Sequence, residues 1–161
     1  QLLGVFSPSW LEPLAHVLKN LGSERVWLVH GSDGLDEMTT TGPTHVVALE
    51  DGAIRRFEVT PEQAGLARSD ITYLKGGDAG HNATAMMAVL DGARIPYRDI
   101  AVLNAAAGLV IAGKARDLKE GAMLAGRAID TRAARATLAE LVRVSNRGSP
   151  ATNVTAFAAA R

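Results

Sequence analysis

The chain of 161 residues is long enough for one domain with a sizeable core, and its 17 Lys and Arg balance its 17 Asp and Glu. That balance, with no basic stripe, argues against a nucleic-acid partner; the lack of cysteine removes disulfides, thiolate metal sites and a cysteine nucleophile, and fits a reducing compartment, the cytoplasm. The longest apolar stretch, residues 101–112, is interrupted by Asn104 and falls far short of the roughly 20 residues a bilayer span needs, so no membrane association is expected.

Leu2 to Phe6 reads as a short buried strand. It starts at once, with neither an initiator Met nor a basic and then apolar leader, so an absent N-terminal portion is expected. Ser9 and Glu12 have capping-box spacing, and Leu11, Leu14, Ala15, Leu18 and Leu21 recur at helical spacing until Gly22. Arg25-Val26-Trp27-Leu28-Val29 reads as a second buried strand, and strand–helix–strand in this order predicts a right-handed parallel crossover. Thr44 to Leu49 and Ile54 to Val59, parted by Asp51-Gly52, predict a hairpin. Thr60-Pro61 starts one short helical turn, and Gly76-Gly77 breaks the chain.

From Asp78 onward the pattern is helical. Asp78 caps a helix that Gly92 closes. An Ala-rich helix from Tyr97 or Arg98 to Ala112 is expected to be buried on most sides. A third, Asp117 to Ile129, has a ragged stripe of Leu118, Met123, Leu124 and Ile129, and a fourth, Thr131 to Ser145, carries Leu138, Leu141 and Val142. Residues 1–147 therefore read as an α/β unit of a few parallel strands, a hairpin and covering helices, while the small, Ala-rich residues 148–161 are expected to form a flexible tail. A complete doubly wound sheet usually has more strands, which again suggests a partial domain.

Chemistry concentrates in His30-Gly31-Ser32-Asp33-Gly34-Leu35-Asp36-Glu37, directly after the second buried strand. In open α/β sheets, ligands sit in the crevice beyond the carboxyl ends of such strands. Asp33, Asp36 and Glu37 repel one another, so the cluster calls for solvation or a counter-charge; Mg²⁺ suits it, since that ion takes one or two carboxylates and fills its shell with water and substrate phosphates. Asp33 is read as a cap for the turn that follows, and Thr39, Thr40 and Thr41 as satisfying loop backbone groups rather than phosphate oxygens. His30, closing a strand, reads as a hydrogen-bonded structural residue, and Asn104, on an apolar helix, as one needing an internal backbone partner. Lys75-Gly76-Gly77-Asp78 imitates a phosphate loop, but an aspartate at the helix start would repel phosphate, so it reads as a turn with a cap. His16, His30, His45 and His81 have no zinc-like spacing. Trp10 and Trp27 read as core residues, and Met86 and Met87 as core or interface filling.

An ordered set of these segments resembles the anthranilate phosphoribosyltransferase family. The set comprises Leu3-Gly4-Val5-Phe6-Ser7-Pro8, Leu18-Lys19-Asn20-Leu21-Gly22, His30 to Glu37, Thr40-Thr41-Gly42-Pro43-Thr44, Gly76-Gly77-Asp78-Ala79 with Asn82-Ala83, Leu103-Asn104-Ala105-Ala106 and Ser145-Asn146. The resemblance runs from residue 2 to about 147 and corresponds to the C-terminal portion of such an enzyme.

The resemblance implies a class II nucleoside-phosphorylase-like α/β domain that transfers the phosphoribosyl group of phosphoribosyl pyrophosphate to anthranilate in tryptophan biosynthesis. It implies Mg²⁺ as cofactor, a homodimer for the full-length protein, and Asp36 and Glu37 as the magnesium ligands. It assigns no catalytic and no pyrophosphate-cradling residue here: the family's glycine-rich loop, its Lys-His-Gly-Asn-type segment and its anthranilate-binding Arg have no match and would precede residue 1. The segment alone is then expected to be inactive. Two alternatives with the same fold are a nucleic-acid-binding protein, disfavoured by the balanced charge, and a pyrimidine nucleoside phosphorylase, disfavoured by the Asp-Glu pair and threonine-rich loop.

Overall fold

A computed structural model describes residues 1–147; the tail expected over 148–161 lies outside the described residues. Four strands, β1 (Leu2–Gly4), β2 (Arg25–Gly31), β3 (Thr44–Glu50) and β4 (Ala53–Val59), lie side by side in chain order. β1 and β2 are parallel and joined through α1 (Leu11–Asn20), while β2–β3 and β3–β4 are antiparallel. The sheet thus has one parallel pair where several parallel strands were expected.

Side chains alternate across β2 and β3, and both faces are covered, which is why these strands read as unbroken apolar runs. Val26, Leu28, Val47 and Leu49 pack against Leu11 and Ala15 of α1. Trp27, Val29, Val46 and Ala48 face the opposite core, where α3 (Pro96–Ile111) contributes Val102, Leu103 and Ala106 and α4 (Leu118–Asp130) contributes Leu118, Ala122 and Ala125. Trp27 meets Phe57 edge to face with ring centroids 5.2 Å apart. The β3–β4 turn is a two-residue hairpin with positive φ at both Asp51 (50°) and Gly52 (75°), the backbone that matches the strands' twist.

Several helix starts follow local chemistry. Asp78 accepts the His81 amide at 2.8 Å to begin α2 (Ala79–Leu90), and Thr60 with Gln63 closes a reciprocal capping box. The expected Ser9–Glu12 box does not form. Pro8–Trp10 make a 3-10 turn, Ser9 bonds Ser7 instead, and Glu12 reaches across to pair with Arg56 of β4. A further 3-10 turn at Ile71–Leu74 has no periodic signature in the sequence.

Several burial expectations are corrected. β1 stops at Gly4; Val5 is buried and its amide still reaches Val29, but Phe6 is 77% exposed. Trp10 is 48% exposed because the 3-10 turn directs it off the core. The α4 core stripe is Leu118, Gly121, Ala122, Ala125 and Ile129, at helical spacing, and Met123 is exposed. These small residues let α4 lie close on α3: a Cβ at Gly121 would come 2.8 Å from the Ala106 carbonyl oxygen. α3, by contrast, is buried or partly buried on most sides as expected; only Ala101 and Ala105 are exposed, where they line an apolar groove with Met86 and Leu124. α5 (Ala133–Ser145) buries none of its residues. No helix among the described residues is long and apolar enough to cross a membrane.

Candidate metal-binding loop

Residues 32–43 leave the carboxyl end of β2 and return into β3, so the loop rises from the rim where β1 also ends. Its backbone closes on itself: Gly31 N–H donates to Leu35 O at 2.9 Å, Gly34 N–H to Gly31 O at 2.9 Å, and Ser32 N–H to Pro43 O at 2.9 Å. Met38, fully buried, drives its side chain into the core shared with Val29, Val46 and Leu103. Thr39, Thr40 and Thr44 are fully buried as well, and Ser69 N–H donates to Thr40 O. Asp36 and Glu37 therefore stand exposed immediately beside a buried, anchored run.

Asp33 holds this arrangement from inside. Its Oδ1 accepts the Leu35 amide at 3.1 Å, and its Oδ2 accepts the Thr39 hydroxyl at 2.5 Å and the Thr41 hydroxyl at 2.7 Å. Partial burial pushes this carboxyl up, but the hydroxyl and amide donors together outweigh it and hold Asp33 below the usual aspartate range. Asp33 is thus committed to a turn and to the threonines, as its reading as a cap required; no helix follows it. Thr39 and Thr44 are tied into the loop too, with Thr39 Oγ1 accepting the Thr41 amide and Thr44 Oγ1 accepting the Thr39 amide, both at 3.0 Å, whereas the Thr40 hydroxyl, expected to satisfy loop backbone, is buried without a partner among the described residues.

Asp36 and Glu37 differ: among the described residues no hydroxyl or backbone N–H donates to either carboxylate, and Glu37 Oε2 accepts only a long 3.4 Å contact from Asn104 Nδ2. Burial first, and then the charges of Asp36 and Asp33, push the Glu37 carboxyl above its ordinary value. None of the ion pairs among the described residues involves either side chain. Two hard carboxylates, mutually repelling and without a protein cation, fit a divalent ion that draws its remaining ligands from water and phosphate. No cluster of three or more His, Cys, Asp or Glu able to cage a metal exists among the described residues, so a closed protein-only site is not formed.

Two contacts invisible in the sequence fix the pair's position. Gly4 lies so close to the loop that a Cβ there would overlap the Asp36 carbonyl oxygen, with Asp36 Cα 3.3 Å away. Asn104, on α3, accepts the Met38 amide at 3.0 Å and donates to Met38 O at 2.9 Å. The backbone partner expected for Asn104 is thus the residue next to Glu37. His30 is structural as read: it is buried, with Nδ1 2.8 Å from Val5 O. Gly77 N–H donates to the Asn82 side chain at 2.9 Å and Asp78 occupies the α2 N-terminus, so that segment is a turn and cap.

Similarity to known proteins agrees with this geometry. The chain is 65% identical over 149 residues to the anthranilate phosphoribosyltransferase of Methylocella silvestris, which covers 92% of this chain and 43% of that protein. It spans less than half the length of the curated relatives it matches. Among solved structures, the anthranilate phosphoribosyltransferase of Thermus thermophilus superposes with a TM-score of 0.78 at 39% identity, covering 87% of this chain and 41% of that one. A variant of the Saccharomyces cerevisiae enzyme with Mg bound superposes with a TM-score of 0.70 at 25% identity, covering 81% of this chain and 38% of that one. The fold is therefore the expected nucleoside-phosphorylase-like α/β type. Because the profile described as "Glycosyl transferase family, a/b domain" matches residues 1–135, the chain belongs to that glycosyl transferase family.

Proposed function

We propose that residues 1–147 form the C-terminal part of the α/β domain of an anthranilate phosphoribosyltransferase, which moves the phosphoribosyl group of phosphoribosyl pyrophosphate onto the anthranilate amine. The observation that carries this reading is the exposed Asp36–Glu37 pair, unpaired by any protein cation among the described residues and presented at the sheet rim by an anchored loop. The relatives' names and the magnesium in the yeast variant support it. The complete protein is proposed to act in the cytoplasm as a homodimer, on the strength of the family resemblance.

The amine nitrogen forms a bond to the ribosyl anomeric carbon as that carbon's bond to the diphosphate oxygen breaks, and the amine loses a proton. Bound magnesium would neutralise the departing diphosphate and so lower the barrier to C–O cleavage. Asp36 and Glu37 would hold the ion, and Asp33, Thr39 and Thr41 keep both carboxylates aimed at the rim without competing for it. No side chain of this segment forms a covalent intermediate in this scheme; positioning and charge are its contribution.

The test uses the full-length enzyme, following loss of anthranilate fluorescence while Mg²⁺ is titrated at saturating phosphoribosyl pyrophosphate. Asp36→Asn and Glu37→Gln are expected to raise the magnesium requirement and lower turnover with the fold intact. An unchanged requirement in both variants removes the metal role. Failure to consume anthranilate, with thymidine phosphorolysis or salt-sensitive binding to single-stranded DNA in its place, overturns the reaction.

A further inference from the structure

We infer that Asn104 is a positioning residue for the metal-binding carboxylates, acting as a side-chain clamp on the backbone between Glu37 and Met38; the inference rests on the magnesium reading above. Met38 exposes both its amide and its carbonyl toward α3, and Asn104, 66 residues away, satisfies both: Oδ1 accepts from Met38 N–H at 3.0 Å and Nδ2 donates to Met38 O at 2.9 Å. The second Nδ2 hydrogen goes to Ile100 O, one turn back on α3, at 3.0 Å. An amide group has one acceptor oxygen and two donor hydrogens, so this set uses the group fully and ties its orientation to the helix. The same nitrogen also donates to Glu37 Oε2 at 3.4 Å, the longest and weakest of its contacts. Asn104 therefore acts on Glu37 chiefly through the backbone.

The chemistry explains why neither a carboxylate nor an aliphatic side chain serves here. A carboxylate at this position would keep the acceptor but face Met38 O and Ile100 O with a second acceptor. An aliphatic side chain would leave the Met38 amide and carbonyl without their partner. Leu103 and Ala106, on either side of Asn104, lie in the same buried core as Met38, so α3 cannot drift to recover the contact. The loop is thus referenced to a core helix rather than to its own short span, and the height of the Glu37 carboxylate above the rim follows from α3.

The full-length enzyme carrying Asn104→Ala or Asn104→Asp is compared with wild type and with Leu11→Ala, which opens a cavity in the α1 core on the opposite face of the sheet without touching α3 or the loop. The magnesium concentration for half-maximal rate is expected to rise about tenfold in both Asn104 variants, the lower end for groups that orient metal ligands, while the KM for anthranilate stays unchanged. Amide hydrogen exchange over residues 34–41 of the metal-free protein is expected to accelerate in the same variants, and neither readout should move in Leu11→Ala. Wild-type magnesium half-saturation with wild-type loop exchange in the Asn104 variants overturns the clamp. So does an equal shift in Leu11→Ala, which would make the effect one of general destabilisation. If Asp36→Asn and Glu37→Gln leave magnesium half-saturation unaltered, the metal reading has failed and the inference falls with it. If those two shift it and the Asn104 variants do not, only the clamp has failed.

Discussion

Replacing Gly4 with Ala tests whether the first strand sets the position of the acidic loop. The added Cβ would overlap the carbonyl oxygen of Asp36 and stand 3.3 Å from its Cα, and both are backbone atoms that no rotamer change can remove. Gly4 is itself held in register with Val29 of β2, so the loop has to give way. Restoring ordinary carbon–oxygen separation needs a retreat of about 2 Å by the Asp36 peptide. Overpacking of this kind typically costs about 1–3 kcal/mol, and a carbonyl clash between two fixed backbones belongs at the upper end. The functional cost should be larger in proportion, because a misplacement of about 1 Å at a positioned group can lower a rate by about 100-fold. In the full-length enzyme, Gly4→Ala is therefore expected to fold, to lose about 3 kcal/mol in denaturant unfolding, and to raise the magnesium half-saturation at least as far as Asn104→Ala does. Wild-type stability together with wild-type magnesium dependence would refute the close approach of β1 to the loop and the positional argument built on it.

Three further outcomes follow from individual contacts. Asp33→Asn should destabilise the protein by about 2 kcal/mol at neutral pH through loss of charge-assisted bonds from Thr39 and Thr41. Because the folded carboxyl is depressed, that advantage of the wild type is complete above the ordinary aspartate value of about 3.9 and vanishes as pH falls through the lower folded value; urea midpoints across that range check the sign. Gly121→Ala forces a methyl to within 2.8 Å of the Ala106 carbonyl oxygen, and should cost about 1–3 kcal/mol in denaturant unfolding. Asp130→Ala strands the Arg98 guanidinium, which is 4% exposed and pairs with Asp130 at 2.9 Å; about 3 kcal/mol should be lost, and Arg98→Met in the same background should recover part of it.

Sequence reading found the elements because each has a local cause. The apolar run 25–29, the Asp51-Gly52 turn, the cap at Asp78 and the helical spacing in α1 are all written within a few neighbouring residues. The reading failed where small residues or long-range contacts governed the outcome. In α4 the eye follows Met123 and Leu124, yet the helix turns Gly121, Ala122 and Ala125 inward because only small side chains permit its approach to α3. Glu12 has the spacing of a capping residue but is taken by Arg56 from another strand. Trp10 has the composition of a core residue and sits on a 3-10 turn that leaves it half exposed.

The acidic loop divides along the same line. That Asp33, Asp36 and Glu37 crowd together after a buried strand is a property of the covalent chain, and mutual repulsion among them follows from charge and spacing alone. Which of the three is free to meet a cation is not. Asp33 is consumed by hydroxyls that fold back onto it, while Asp36 and Glu37 are held outward by Gly4 and Asn104, residues 32 positions before Asp36 and 66 after Met38. Local periodicity carries no information about partners so far apart; only the packing of β1, α3 and the loop around one core brings them within a hydrogen bond or a van der Waals contact of each other.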